Sequence, residues 1–222
     1  MICMSAILSL SYAFRVLLGE KRVSETDAWE FAARIAAPIL QAGSIVLTSI
    51  FAVRGLTAWR DQLIGKRKFE VAEEALMTFA LAKEALRAVR APISWSDEGL
   101  ELMKQTGVAS GDYMKYQAHY AILQRLRTHS ERFAKLATVK ITAGIHLEPE
   151  AETAIDLFLE QRWKVWAAVD ELIDATRDNY LDKIDTSKLR KTIYARPNDD
   201  FIQSAVDEAE AKIKAVCVRY LK

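Results

Sequence analysis

The chain has 222 residues, with 31 Lys and Arg against 30 Asp and Glu, a net charge of +1 at pH 7 and 51% hydrophobic residues. So even a balance gives no basic surface for nucleic acid, and no nucleic-acid partner is expected. The two cysteines, Cys3 and Cys217, sit at opposite ends, which excludes a disulfide framework, a CxxC pair and a cysteine metal site.

Residues 1–18 (MICMSAILSLSYAFRVLL) are apolar but interrupted by Arg15. They lack the basic start and small-residue cleavage site of a secretory signal. Three readings stay open: a weak second membrane or interfacial helix, a short packing helix, or the product of an upstream start codon. Ser24, followed three positions later by Asp27, suits a helix start.

Ile35 to Val53 (IAAPILQAGSIVLTSIFAV) carries no charge and is closed by Arg34 and Arg54. As a helix it rises about 28 Å, near the hydrocarbon thickness of a bilayer. It is apolar on every side, where a soluble surface helix would show a polar stripe. Pro38 and Gly43 penalise a soluble helix but are tolerated in lipid. A transmembrane helix over 35–53 is therefore expected, with Gln41 as its one strongly polar side chain.

The flanks set its direction. Arg54, Arg60, Lys66, Arg67 and Lys68 face only Asp61 on the C-terminal side. Lys21, Arg22 and Arg34 are outnumbered by Glu20, Glu25, Asp27 and Glu30 before the span. The positive-inside rule puts the C-terminal side in the cytoplasm, with Trp29 and Trp59 at the two interfaces. Lys66, Arg67 and Lys68 also suit anionic headgroups. The expected organisation is an N-terminal segment over 1–34, the span over 35–53, and one cytoplasmic helical domain over 54–222.

That domain, about 170 residues, is long enough for a real core. Leu56 to Arg90 reads as helix in direct continuation of the span, with Phe69, Ala72, Leu76, Phe79 and Leu86 on one face and Pro92 as its stop. Ala91 to Gly111 reads as a loop with a short helix over Glu98 to Lys104. A second long helix is predicted from Asp112 to Thr142, with Ile122, Leu126, Phe133, Leu136 and Val139 inward. A third starts at Pro149 and runs to about Leu181 through Ile155, Leu159, Trp166, Val169 and Ile173. Thr192 to Asn198 is a break, and Asn198 or Asp199 caps a last helix with Ile202, Val206, Ala209, Ile213, Val216 and Tyr220 on one side. The fold class is all-α: a membrane helix leading into an antiparallel bundle of about four long helices.

Chemistry-bearing patterns are few. His119 and His129 fall on the apolar stripe of the second long helix, as a buried acid–base or metal pair would. Ten residues separate their α-carbons by about 15 Å, too far to share a metal, so two partly buried, hydrogen-bonded histidines is the plainer reading. His146 stands alone. No Glu-x-x-His occurs for a di-iron bundle, His129 and Glu131 lack the second half of a deaminase signature, and no phosphate loop or nucleophile elbow is present. No metal or cofactor is expected. Helical ribonucleases of the HEPN type carry an Arg followed by four to six residues and a His. Arg125 precedes His129 by only three intervening residues, so the spacing misses. Arg162, Trp163 and Trp166 on the third helix form an aromatic, charged candidate partner face, weighed against core tryptophans with solvated charges. Asp170 and Asp174 are one helical turn apart, weak evidence for a cation.

The runs WRDQLIGKRKFEVAEEAL (Trp59–Leu76), ALAKEALRAVRAPIS (Ala80–Ser94) and RFAKLATVK (Arg132–Lys140) resemble a family of uncharacterised bacterial proteins with one N-terminal membrane helix, a Trp/Gly-Lys-Arg-Lys junction and a helical cytoplasmic body. The resemblance covers roughly residues 35–140. It implies a bacterial inner-membrane protein and brings no activity or functional residue. Two expectations follow. One is a membrane-anchored interaction or scaffold module whose partners are the bilayer and a protein, either foreign or a second copy. The other is a membrane-associated enzyme or toxin, for example a HEPN-like ribonuclease of a defence system. It needs Arg125 and His129 exposed together in a concave pocket.

Overall fold

The computed structural model describes residues 25–95 and 97–221, with side chains from residue 29 onward. The readings of residues 1–18, Cys3 and the Ser24 helix start lie outside the described residues. Among the described residues there are seven α-helices and no strand: α1 (Glu25–Val89), α2 (Leu100–Gln105), α3 (Tyr113–Thr128), α4 (Ser130–His146), α5 (Pro149–Arg177), α6 (Thr186–Ile193) and α7 (Phe201–Cys217). The chain divides into two units, one ending at Asp61 and one beginning at Gln62.

In the first unit α1 has no separate polar and apolar sides, and none of the described residues packs against it. Every side chain from Ala33 to Asp61 is exposed. The helix continues through Pro38 without leaving the α class, although the proline nitrogen has no hydrogen to give to the carbonyl one turn back. It is the one helix among the described residues long and apolar enough to cross a membrane.

In the second unit the chain changes character at about Val71. From there Ala72, Ala75, Phe79, Ala82, Leu86 and Val89 recur at three- and four-residue steps, and these and Val71 are buried. Phe79 meets Phe158 of α5 with ring centroids 5.0 Å apart. α5 is the centre of this unit: Ala151, Ala154, Ile155, Phe158, Val165, Val169 and Leu172 are buried along its length. Gln161 is buried among them and tolerated because its amide donates to the Leu157 carbonyl at 3.0 Å. Pro149 opens α5 at the first helical position, where its missing N–H costs nothing. α4 runs antiparallel to α5, as the Lys140–Asp156 pair at 2.9 Å requires. α7 supplies Ile202, Val206, Ala209, Ile213 and Val216 to the same core.

Several boundaries differ from the expectation, among them the end of the last helix, which stops at Cys217 and leaves Tyr220 beyond it. The predicted helix over 112–142 is two helices, divided at His129, and the second continues to His146. The third ends at Arg177, and a short additional helix, α6, follows a single 3-10 turn at Leu181–Lys183. The last helix is capped by Asp200 rather than Asn198 or Asp199: the Asp200 carboxylate accepts from the Gln203 N–H, while Asp199 sits at φ 60°. The four long predicted helices are thus one long helix, a divided pair, a long central helix and a shorter last one, with two small helices between.

Candidate functional site

The clearest unexplained surface is α1 before the second unit. Trp29, Ile39, Leu40, Val46, Leu47, Ile50, Phe51 and Val53 are all exposed on it. In water this costs roughly 1.5–3 kcal/mol for each large side chain left uncovered. Its polar groups are mostly turned inward on the helix itself: the Ser44, Thr48 and Ser49 hydroxyls donate to the carbonyls of Gln41, Ser44 and Ile45 at 2.7–2.8 Å. Arg34, Arg54 and Trp59 are exposed on the same helix. Lys66 and Arg67 are also exposed but share Glu70, at 3.9 and 3.6 Å. Lys68 is half-buried, its ammonium 5.3 Å from the centre of the Tyr220 ring.

Arg125 does something the sequence did not announce. Its Nε donates to Glu98 Oε1 at 2.5 Å and its Nη2 to Glu98 Oε2 at 2.6 Å, a bidentate pair. Nη2 also donates to the Ile93 carbonyl at 2.6 Å, and Nη1 to those of Ala91 at 2.7 Å and Val89 at 3.5 Å. All five N–H groups of the guanidinium are therefore occupied. The side chain is 11% exposed. The hydrogen bond from Arg125 holds the Glu98 carboxyl below its usual pKa against the opposing effect of burial. Arg125 is a clamp on the turn that follows α1, and that turn carries Ile93 and Trp95 outward, 78% and 77% exposed.

His129 occupies the break between α3 and α4, half-buried and without a side-chain hydrogen bond; burial, then Arg132, lowers its pKa. His119 is half-buried, its Nδ1 has no hydrogen-bond partner, and burial and Arg190 lower its pKa. Trp163 and Trp166 are both exposed on α5, so they are not core tryptophans. Arg162 does not join them outside: its guanidinium lies over the Phe133 ring at 5.3 Å, with a buried Nε that has no partner. Lys164 pairs with Glu160, and Asp174 with Arg177. Among the described residues no three His, Cys, Asp or Glu side chains gather as metal ligands.

A second clamp was missed altogether. Arg90, the residue just past the end of α1, is only 2% exposed and donates from Nη2 to Asp200 at 2.9 Å. Its Nε donates to the Thr192 carbonyl at 3.2 Å and Nη2 reaches that of Tyr194 at 3.2 Å, while its own carbonyl accepts from the Ala195 N–H at 2.9 Å. Burial pushes the Asp200 carboxyl up, and bonds from Arg90, Gln203 and Arg196 outweigh it, leaving a net lowered pKa. A cavity of about 160 Å³ beside the pair is lined by Lys83, Arg87, Arg196 and Gln203. Lys83 is taken by Asp207, at 2.8 Å, and Glu210. Nothing in the pattern around Arg90 separates it from the exposed arginines of α1.

No family model, no curated protein and no solved structure matches this chain. The site stands on its geometry alone.

Proposed function

We propose that the protein is a membrane-anchored helical module that binds a protein partner at the cytoplasmic face of a bacterial inner membrane. The observation that carries the reading is the uncovered apolar helix between Ala33 and Asp61, which no described part of the chain shields from solvent. A bilayer is the surrounding that removes that cost. The basic residues after Arg54 favour placing the C-terminal unit inside. Three exposed tryptophans on that unit, Trp95, Trp163 and Trp166, are the side chains a partner would use as anchors.

The ribonuclease reading has less support. Arg125 has every donor engaged, so none remains for a phosphate. His129, four positions later, stands at the break between α3 and α4, and neither residue lines the cavity next to Arg90.

The test is flotation of the full chain with liposomes, with alkaline carbonate extraction and protease protection in sealed inverted and right-side-out vesicles. The reading expects an integral protein whose residues after Arg54 are digested only when the cytoplasmic face is open. Release by carbonate would refute it. Crosslinking and pull-down with Trp163→Ala and Trp95→Ala variants then asks whether a captured partner depends on those faces.

A further inference from the structure

We propose that the span associates with the same span of a second copy of this chain, through Gln41. The inference rests on the membrane reading above and names its partner. Gln41 lies about 9 Å inside the apolar run, counted from Ile35 at 1.5 Å per residue. Each hydroxyl of the span already gives its proton to a carbonyl one turn back. The Gln41 amide does not: it is exposed and makes no side-chain hydrogen bond, leaving two donors and an acceptor open. Hydrocarbon offers it nothing, and a glutamine stem is too short to carry the amide from that depth to the headgroups.

The self-complementarity of the amide selects the partner. Across a two-fold axis, one carboxamide donates to its symmetry mate and accepts from it, so a second copy brings the required group to the required depth without any further coincidence. The surroundings permit the approach. At 100° per residue, Ala37, Gln41, Ser44, Thr48, Ala52 and Gly55 fall within about 80° of one another, and no bulky side chain falls among them. Ile39, Val46 and Ile50 point the other way. Small residues let two backbones close in, and a polar side chain between them then forms an interhelical hydrogen bond.

The experiment is Förster transfer between donor- and acceptor-labelled full-length chains in liposomes, over a range of protein-to-lipid ratios. It is paired with flotation of the same samples. Wild type should float and show transfer that rises with chain density. Gln41→Leu makes the span more apolar, so it should float as well while its dimerisation weakens about three- to tenfold, and Ala37→Ile should weaken it by blocking approach. Ile50→Leu, on the opposite side, should change nothing. A wild type that floats but stays monomeric overturns the proposal and leaves the membrane reading standing; the amide is then met within its own chain. Transfer unchanged in Gln41→Leu overturns it too. A chain that fails to float refutes the membrane reading and this inference with it.

Discussion

Arg90 and Asp200, 110 positions apart, meet at 2.9 Å with both side chains under one-tenth exposed. A buried charge pair of this kind gives little net stability when compared with apolar neighbours, yet removing one partner leaves the other charge stranded. The pair also fixes three things at once: the end of α1, the start of α7 and the Thr192–Arg196 connection.

Arg90→Met is therefore expected to lower stability by about 3–5 kcal/mol, measured by urea unfolding in mild detergent. Asp200→Ala should lose that and about 1 kcal/mol more for the helix cap. In the double variant the losses should fall well short of their sum, because no charge is left without its mate.

Arg125 and His129 separate the two functional readings. Arg125→Ala strips Glu98 of its partner and frees three carbonyls, so a loss of about 2–4 kcal/mol is expected. Arg125→Lys should recover little, since an ammonium cannot reproduce the fork. His129→Ala, which breaks no hydrogen bond, should cost about 1 kcal/mol or less. Ribonuclease activity abolished by His129→Ala at unchanged melting temperature would reverse the preference.

Gly99 is held at φ 81°, and a Cβ there would come within 2.6 Å of the Tyr120 carbonyl carbon and 2.7 Å of the Ala121 nitrogen. Gly107 has a similar φ of 76° but open space around it. Gly107→Ala should cost about 1 kcal/mol of backbone strain. Gly99→Ala should cost clearly more, about 3 kcal/mol, because backbone has to move as well. Comparing the two by thermal unfolding isolates the packing contribution.

Acid should weaken the second unit in two stages. His119 and His129 titrate below their usual 6.5 in the folded chain, so the unfolded chain binds more protons, and stability falls as pH drops from about 6.5 toward those lower values. Glu98, Asp200 and Glu210 are also lowered, from 4.5, 3.8 and 4.5; the stability they contribute is present above those values and is lost as pH falls through the folded ones. His119→Leu removes a buried nitrogen that has no partner, and should flatten the first stage at little cost near pH 8. Stability curves against pH for both chains check this.

Cys217 is buried, and burial raises its thiol to about 11. In a Cys3→Ser background it should resist maleimide at pH 7.5 until the chain unfolds, so that labelling rate reads the opening of α7. Rapid labelling of folded protein would contradict the packing described for that helix.

The helices were legible where apolar spacing and breakers agree. Phe69 to Leu86 with Pro92 behind them, and Pro149 at the head of α5, gave correct ends to within a residue or two. The division at His129 was not legible, because neither Gly nor Pro marks it and the stripe from Ile122 to Val139 runs through it unbroken. Asp200 was passed over for Asn198 or Asp199 because three capping residues stand in a row and only tertiary contact chooses among them. The two clamps were invisible for a related reason: arginine is normally a surface residue, and its burial depends on acceptors far away in sequence. The exposed tryptophans Trp163 and Trp166 were identified as candidates, while Trp95 needed Arg125 to be seen holding its loop.

The acceptors that surround the Arg90 guanidinium belong to residues 191–200. During synthesis Arg90 is made about a hundred residues before those acceptors. The contact that ties Arg90 to residues 191–200 therefore forms only once those residues have been made, and closing so long a loop is slower than forming a helix. A chain cut short before Asp200 would keep its α1 sequence and lack the closure, presenting an open core to the cell's proteases.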